Sequence, residues 1–356
     1  MISREVIEKI LAKAVYAPSG DNSQPWHFSV SNDDLFVYNY PEKDLPFYNY
    51  KQCGSHVAHG ALLENICIIA SENGYECQIK LFPKGSHNEL IAIVTFVTNP
   101  GVNADVFAKY VDKRVTNRLP YRNESIPPET KDRILSANSE LGIEVKFIDD
   151  EKKIKKISLA SVTNEMTVLT TKVIHSFFFK HIIWSEEDEK QKKSGLYVKT
   201  LEMPKPQEIA FRIASFWPIM KIINKLGITK KIAEDNAKLF QASPSFVAFL
   251  SERDTPEDFI ALGRSLQRVW LACTAEGVSA HPITGVLFLY QRVKGQATEE
   301  ISVSQQQMIK DSYQDICFQC DAGKKNTLFI LRVGKASPPS ATSSRLAPSV
   351  SYESAI

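Results

Sequence analysis

The order of apolar runs in this chain predicts an α+β fold whose helices and strands are layered in two unequal halves, and three observations carry that expectation. Its 356 residues are about twice a usual single-domain length, which calls for two domains or one duplicated unit with an insertion. Two long helical patterns end alike, at Glu72-Asn73-Gly74 and Ala275-Glu276-Gly277, and each has β-prone runs beside it. About residues 152–243 also read as helical and have no counterpart in the first half, so they are expected to be an insertion.

Taken in order, Ile7, Ile10, Leu11, Ala14 and Val15 recur at helical spacing, and Pro18 and Gly20 stop that helix near Ala17. The runs 27–30 and 35–38 flank the polar turn Asn32-Asp33-Asp34, as in a hairpin. A second helix is expected over 56–73, stopped by Gly74, followed by strands over 76–82 and 90–97. In the second half a helix over 255–276, stopped by Gly277, is flanked by strands over 245–251 and 327–333. Within the insertion, aromatic residues crowd 177–184 and 211–223, and charged residues interrupt both stretches, so neither spans a membrane. These stretches predict helices packed on the core, with a lid over a ligand and a membrane-surface helix as sharper alternatives; the near-neutral total charge favours the lid of these two. After Lys335 the chain is rich in Ser, Pro and Ala, the composition of a mobile tail.

Bulk chemistry narrows the partners. Hydrophobic residues make up 43% and charged residues 24%, ordinary for a chain that buries a sizeable core. Lys plus Arg number 43 against 41 Asp plus Glu, so no overall basic field recruits nucleic acid, and the expected partner is a small molecule. The opening Met1-Ile2-Ser3-Arg4-Glu5 runs straight into an amphipathic helix without the apolar core of a secretory signal, which predicts a cytoplasmic protein. Of six cysteines only Cys317 and Cys320 have metal-like spacing, and without a second pair or nearby histidines they read as core thiols; no metal is expected.

No Gly-x-Gly-x-x-Gly follows a strand, and there is no Walker loop, His-Glu-x-x-His or Gly-x-Ser-x-Gly. Three segments remain. Pro18-Ser19-Gly20-Asp21-Asn22-Ser23-Gln24-Pro25 is a stiff loop whose glycine permits close approach and whose Ser19, Asn22 and Gln24 offer donors and acceptors; composition alone equally makes it a turn leading into a strand. In the extended run 113–118, alternate residues point one way, so Arg114, Thr116 and Arg118 could converge on one phosphate, although such a run alone is usually a solvated turn. His281-Pro282-Ile283-Thr284-Gly285 follows the long second-half helix and, taken alone, is an ordinary turn.

Together these segments resemble the nitroreductase family of FMN-dependent oxidoreductases. The loop 17–28 is similar to that family's most distinctive stretch, and the resemblance implies that Pro18, Ser19, Gly20, Asn22 and Gln24 contact or sandwich the flavin ring across a dimer-like interface. Arg114-x-Thr116-x-Arg118 resembles the family's Arg-x-Ser-x-Arg signature for the FMN phosphate, with threonine keeping the hydroxyl. Thr284 and Gly285 correspond to residues that offer backbone N–H groups near flavin N5, and Arg345 to a final arginine at the phosphate. The first half has only Ser3-Arg4 before its helix, so one phosphate site per chain is expected, completed in cis by the loop 18–24.

The fold that the resemblance implies is nitroreductase-like: two unequal repeats forming a pseudo-dimer, with central mixed or antiparallel sheets flanked by helices. Its units would be a first half over 1–108, a second half over 109–335 holding the insertion, and a tail over 336–356. This tandem arrangement is similar to the single-chain branch that includes the mycobacterial Acg proteins. NAD(P)H would reduce FMN, and the flavin would reduce a flat, electron-poor small molecule such as a quinone or nitroaromatic; no side chain is assigned as catalytic acid or base. Flavin storage with little turnover is the rival function, and either a monomer as pseudo-dimer or a homodimer fits.

Overall fold

The computed structural model describes residues 2–44, 47–138 and 141–352. Helix α1 (Arg4–Ala14) starts where the Ser3 hydroxyl accepts from Val6 N, and it buries Ile7, Ile10, Leu11 and Ala14 along one stripe. The hairpin β1 (Trp26–Ser31) and β2 (Asp34–Asn39) turns through Asn32 and Asp33 at φ 50° and 69°, the left-handed pair that a two-residue turn needs to match strand twist. Helix α2 (Cys53–Glu72) follows, then β3 (Tyr75–Leu81) and β4 (Leu90–Thr98).

The second half opens with α3 (Pro128–Ser136) and β5 (Glu144–Ile148). A helical stretch follows: α4 (Glu151–Thr170), α5 (Lys172–Lys180), β6 (Ile182–Ile183), α6 (Glu186–Lys192), β7 (Leu196–Tyr197), α7 (Lys205–Ala214), α8 (Trp217–Lys225) and α9 (Ile228–Gln241). It closes with β8 (Ser245–Ser251), α10 (Pro256–Ala275), β9 (Ser279–Pro282), α11 (Gly285–Lys294), α12 (Val303–Gln319), β10 (Asn326–Gly334) and β11 (Val350–Tyr352). The first sheet has the order β11-β1-β2-β4-β3, antiparallel except for the parallel β11–β1 edge; the second, β5-β8-β10-β9, is antiparallel throughout. The architecture is therefore α+β, with one mixed and one antiparallel sheet, each built largely from one half, and a small parallel pair, β6–β7, within the helical stretch.

The halves meet along α2 and α10. Sixteen of the twenty residues of α2 are buried, as expected of a helix enclosed on all sides. Backbones touch where they cross: a Cβ on Gly60 would stand 2.1 Å from Ile260 O, and one on Gly263 2.1 Å from Val57 O. Around this contact Arg264 Nε and Arg268 Nη1 donate to the two carboxylate oxygens of Glu64 (2.7 and 3.0 Å), and Gln267 donates to Asn65 (2.7 Å). Both helices end two residues before a left-handed glycine, with Asn73 or Glu276 as the cap between, and Gly74 at φ 79° and Gly277 at φ 66° stop them as their sequences predict.

Three features go beyond the sequence reading or differ from it. Helix α4, expected within the insertion, puts Ile154, Ile157 and Ala160 into the same cluster as Phe246, Ala248, Leu250 and Ile330 of the second sheet, because periodicity reveals a helix but not what it packs on. The expected mobile tail is instead pinned: Val350, Ser351 and Tyr352 pair in parallel with Phe28, Ser29 and Val30, since a free sheet edge accepts backbone of almost any composition. Of the two aromatic-rich stretches expected to pack on the core, 177–184 buries Phe179, Ile182 and Ile183 and 211–223 packs Phe211 against them and buries Met220, but Ile213, Phe216, Ile219 and Ile222 stay exposed, as does Ile209 of α7.

Candidate cofactor site

The loop after α1 is held in unusual geometry. Asp21, Asn22 and Gln24 all have positive φ (46°, 57° and 50°), a conformation that non-glycine residues adopt only when their surroundings enforce it. Here the Ser19 hydroxyl accepts from Gln24 N (3.0 Å), and Asn22 Nδ2 donates to Ser344 O (3.1 Å). Gln24 Nε2 donates to Lys193 O (2.7 Å), and its Oε1 accepts from Leu346 N (2.8 Å). The loop is thus clamped by the α6–β7 connection and by the chain beyond β10.

Against it lies a small cavity of about 150 Å³, walled by Ser19, Asp21, Asn22, Arg114, Thr116, Arg118, Thr200 and Arg345. The segment 114–118 brings the alternate residues together as expected, although Val115 between them also lines the cavity. Thr116 bridges to Ala280 of β9, and Arg114, Thr116 and Arg118 reach the cavity. Asn117 turns the other way and donates to Ser337 O (2.8 Å).

Arg114 is buried, donates to Tyr16 O (2.9 Å), and lies with its guanidinium carbon 4.5 Å from the Trp270 ring centroid, while its Nε finds no partner. Burial, with the charge of Arg345 behind it, pushes its pKa down to about 9. Arg345 donates to Asn22 Oδ1 (2.9 Å), also leaves Nε without a partner, and is pushed down to about 10 by burial. Burial lowers Arg118 as well, partly offset by Asp21, and Arg118 donates to Thr200 O (3.0 Å). Three guanidiniums facing two carboxylates, Asp21 and Asp112, leave a net positive charge in the neck, and an anion with several oxygens would satisfy both the charge and the open N–H groups.

Pro18, Ser19, Asp21, Thr116 and Arg118 also wall a larger cavity of about 360 Å³. Its other surfaces include Gly20, Tyr48, Asn164, Glu165, Phe178, Trp270, His281, Ile283, Thr284, Gly285 and Phe288. A wide, mostly apolar chamber joined to a cationic neck suits a flat ring system carrying a phosphate. Thr284 and Gly285 open α11 at this chamber with N–H groups that no earlier turn can use. The close approach at Gly285 is taken up by the protein itself, since a Cβ there would lie 2.2 Å from Asn164 Cγ. Tyr48 Oη in turn donates to Asn164 Oδ1 (2.8 Å).

Gln24 is the one sequence-predicted residue that walls neither cavity; it clamps the loop instead. Tyr48, Asn164, Glu165, Trp270 and His281 were missed, and only His281, next to Pro282-Ile283-Thr284-Gly285, had a local signal. Arg332 Nε donates to His281 Nδ1 (2.9 Å), so Nδ1 carries a lone pair and the neutral ring holds its proton on Nε2. Burial, reinforced by Arg332 and Arg118, holds the ring's pKa well below the usual value and keeps it neutral. Burial also raises Glu165 to about 7, against the stabilising donation from Asn236 Nδ2 (2.8 Å). Residues 205–226 wall neither cavity, so the expected lid is not where the aromatic run 211–223 suggested; Asn164, Glu165 and Phe178 of α4 and α5, with Phe240 of α9, stand over the chamber instead. No described helix is long and apolar enough to cross a membrane.

Residues 1–45 match the model of the nitroreductase family, the part of the chain that holds α1 and the clamped loop. The chain is 20% identical over 346 residues to an uncharacterised protein, MT1398, of Mycobacterium tuberculosis strain CDC 1551; the alignment takes in 95% of this chain, which spans about half (47%) of that relative's length. Among solved structures it is similar to NfrA2 of B. megaterium (13% identity, TM-score 0.36, covering 68% of this chain and 71% of that one). It is also similar to the FMN-dependent nitroreductase NfnB from Mycobacterium smegmatis in complex with NADPH (14%, TM-score 0.37, 65% and 88%). A nitroreductase with bound FMN from Bacteroides fragilis gives 10% identity and a TM-score of 0.34 over 68% and 94% of the two chains.

Proposed function

We propose that this chain is a cytoplasmic FMN-dependent oxidoreductase of nitroreductase type that draws electrons from NAD(P)H and passes them to a flat, electron-poor small molecule. The observation that carries the reading is the neck, where Arg114, Arg118 and Arg345 converge with open N–H groups around Thr116. In this reading those residues and Asn22 hold the FMN phosphate, Pro18, Ser19 and Gly20 lie against the ring, and Thr284 and Gly285 present backbone N–H groups to it. Bound FMN supplies the hydride and electron chemistry, and the protein positions it. Tyr48 holds the Asn164 carboxamide over Gly285, His281 stays neutral on Arg332, and Phe178 and Trp270 keep the chamber apolar. Residues 1–108 and 109–335 are the two halves, and the tail over 336–356 closes the neck and the first sheet through its described residues up to Tyr352; the chain works as a monomeric pseudo-dimer or as a homodimer of such units.

Denaturing the purified protein and assaying the released flavin should give close to one FMN per chain, because only the second half carries the arginine signature. Arg114→Ala should weaken FMN binding by about tenfold or more while the far-UV spectrum stays unchanged, since charge-assisted contacts to phosphate are strong. A chain that binds no FMN after reconstitution, or a folded variant with unaltered affinity, would remove the neck from the site. One observation favours flavin storage as a second reading: Asn164 already fills the space at Gly285. Oxidation of NAD(P)H with a quinone or nitroaromatic acceptor separates enzyme from store.

A further inference from the structure

We propose that helices α7 and α8 form a docking face for anionic phospholipid membrane. Ile209 and Ile213 lie four residues apart on α7, Ile219 and Ile222 three apart on α8, and Phe216 and Leu226 stand at the ends of α8. All are exposed large hydrophobics, with Phe216 at 60%, Ile222 at 59% and Leu226 at 67%, whereas the only buried residue of the two helices is Met220. Single exposed apolar residues are ordinary, but six within eighteen residues of two adjoining helices make an apolar ridge of the kind that a partner covers.

The occupant is argued from charge. Residues 205–231 also hold Lys205, Arg212, Lys221, Lys225, Lys230 and Lys231 with Glu208 as the lone carboxylate, a local excess of +5 in a chain whose total is +2. Among the described residues only Lys230 of these cations has a carboxylate within salt-bridge range, Glu234 at 3.8 Å. Two copies of the chain meeting through this face would bring like charges together, so self-association is disfavoured, while a surface of anionic headgroups over acyl chains matches both cations and apolar ridge. Helices of ten and nine residues are too short to span a bilayer and suit lying in the interface. The near-neutral total charge, which the sequence reading used against membrane contact, conceals this local concentration.

Flotation of the purified full-length protein with vesicles tests the assignment. Vesicles of phosphatidylcholine containing phosphatidylglycerol should carry the protein upward, pure phosphatidylcholine vesicles should carry at least about tenfold less, and 1 M salt should release what is bound. Lys221→Glu with Lys225→Glu should weaken binding by about tenfold or more, and so, separately, should Phe216→Glu with Ile222→Glu. Circular dichroism checks that both variants fold, and as their side chains are exposed, either pair suffices if the other misfolds. No flotation of the intact protein, equal binding to neutral vesicles, or unaltered binding by both folded variants would overturn the proposal. So would a concentration-dependent dimer abolished by Phe216→Glu with Ile222→Glu, which would give the face to a second copy. None of these outcomes depends on the flavin reading.

Discussion

At the residue scale, legibility depended on whether chemistry was written in consecutive positions. Arg114, Thr116 and Arg118 could be read because an extended segment aims every second side chain the same way, and the structure brings all three to one cavity. Asn164 and Glu165 could not, for within α4 they are two unremarkable polar residues whose placement depends on α4 crossing the mouth of α11. Glu165 supplies a sharp test. Its folded pKa of about 7 lies above the usual value of 4.5, so the folded state holds a proton that the unfolded chain has lost; stability from this group is complete below about pH 4.5 and falls as pH rises through 7. Glu165→Gln should therefore match the wild type in urea denaturation near pH 5 and exceed it at pH 8.5 by up to about 3 kcal/mol. Parallel pH profiles for the two proteins would show that Glu165 is already ionised at neutrality.

At the scale of elements, helix ends and strand alternation were the readable features, and packing partners were not. The glycines after α2 and α10 were predicted from their position, and both have the expected left-handed φ. Gly60 and Gly263, by contrast, sit mid-helix where propensity disfavours glycine, and only the crossing of the two backbones explains them. The distinction has an energetic consequence. Gly277→Ala meets open space and only the strain of its φ, about 1 kcal/mol, whereas Gly263→Ala drives a methyl into Val57 O and should destabilise by roughly 3 kcal/mol or more. Chemical denaturation of the two variants side by side checks the ordering, and equal losses would mean that the helices can part without penalty.

For the whole molecule, the two-half plan was visible in the repeated helix endings, while its closure was hidden in a segment of unpromising composition. Serine, proline and alanine after Lys335 suggested mobility, yet that segment sends Arg345 to the neck, ties Leu346 to Gln24 and ends as an edge strand on β1. Truncation after Pro348 should retain the neck and its ligand but expose the β1 edge, lowering the melting temperature by several degrees; truncation after Ala341 should also weaken FMN binding. Identical melting curves for the full chain and the Pro348 truncation would show that the strand adds nothing.

The parallel pairing of Phe28 with Val350 also constrains the order of folding during synthesis. On the ribosome, β1 emerges more than 300 residues before the strand that covers its edge, and through that interval its outer N–H and C=O groups have no native partner. The first half must therefore wait, with one flank open to chaperones or to mispairing, until translation reaches the same segment that delivers Arg345. An interrupted chain would lack the neck cation and the edge strand together, so the defect that spoils the cofactor site also leaves a pairing edge by which quality control can recognise the unfinished product.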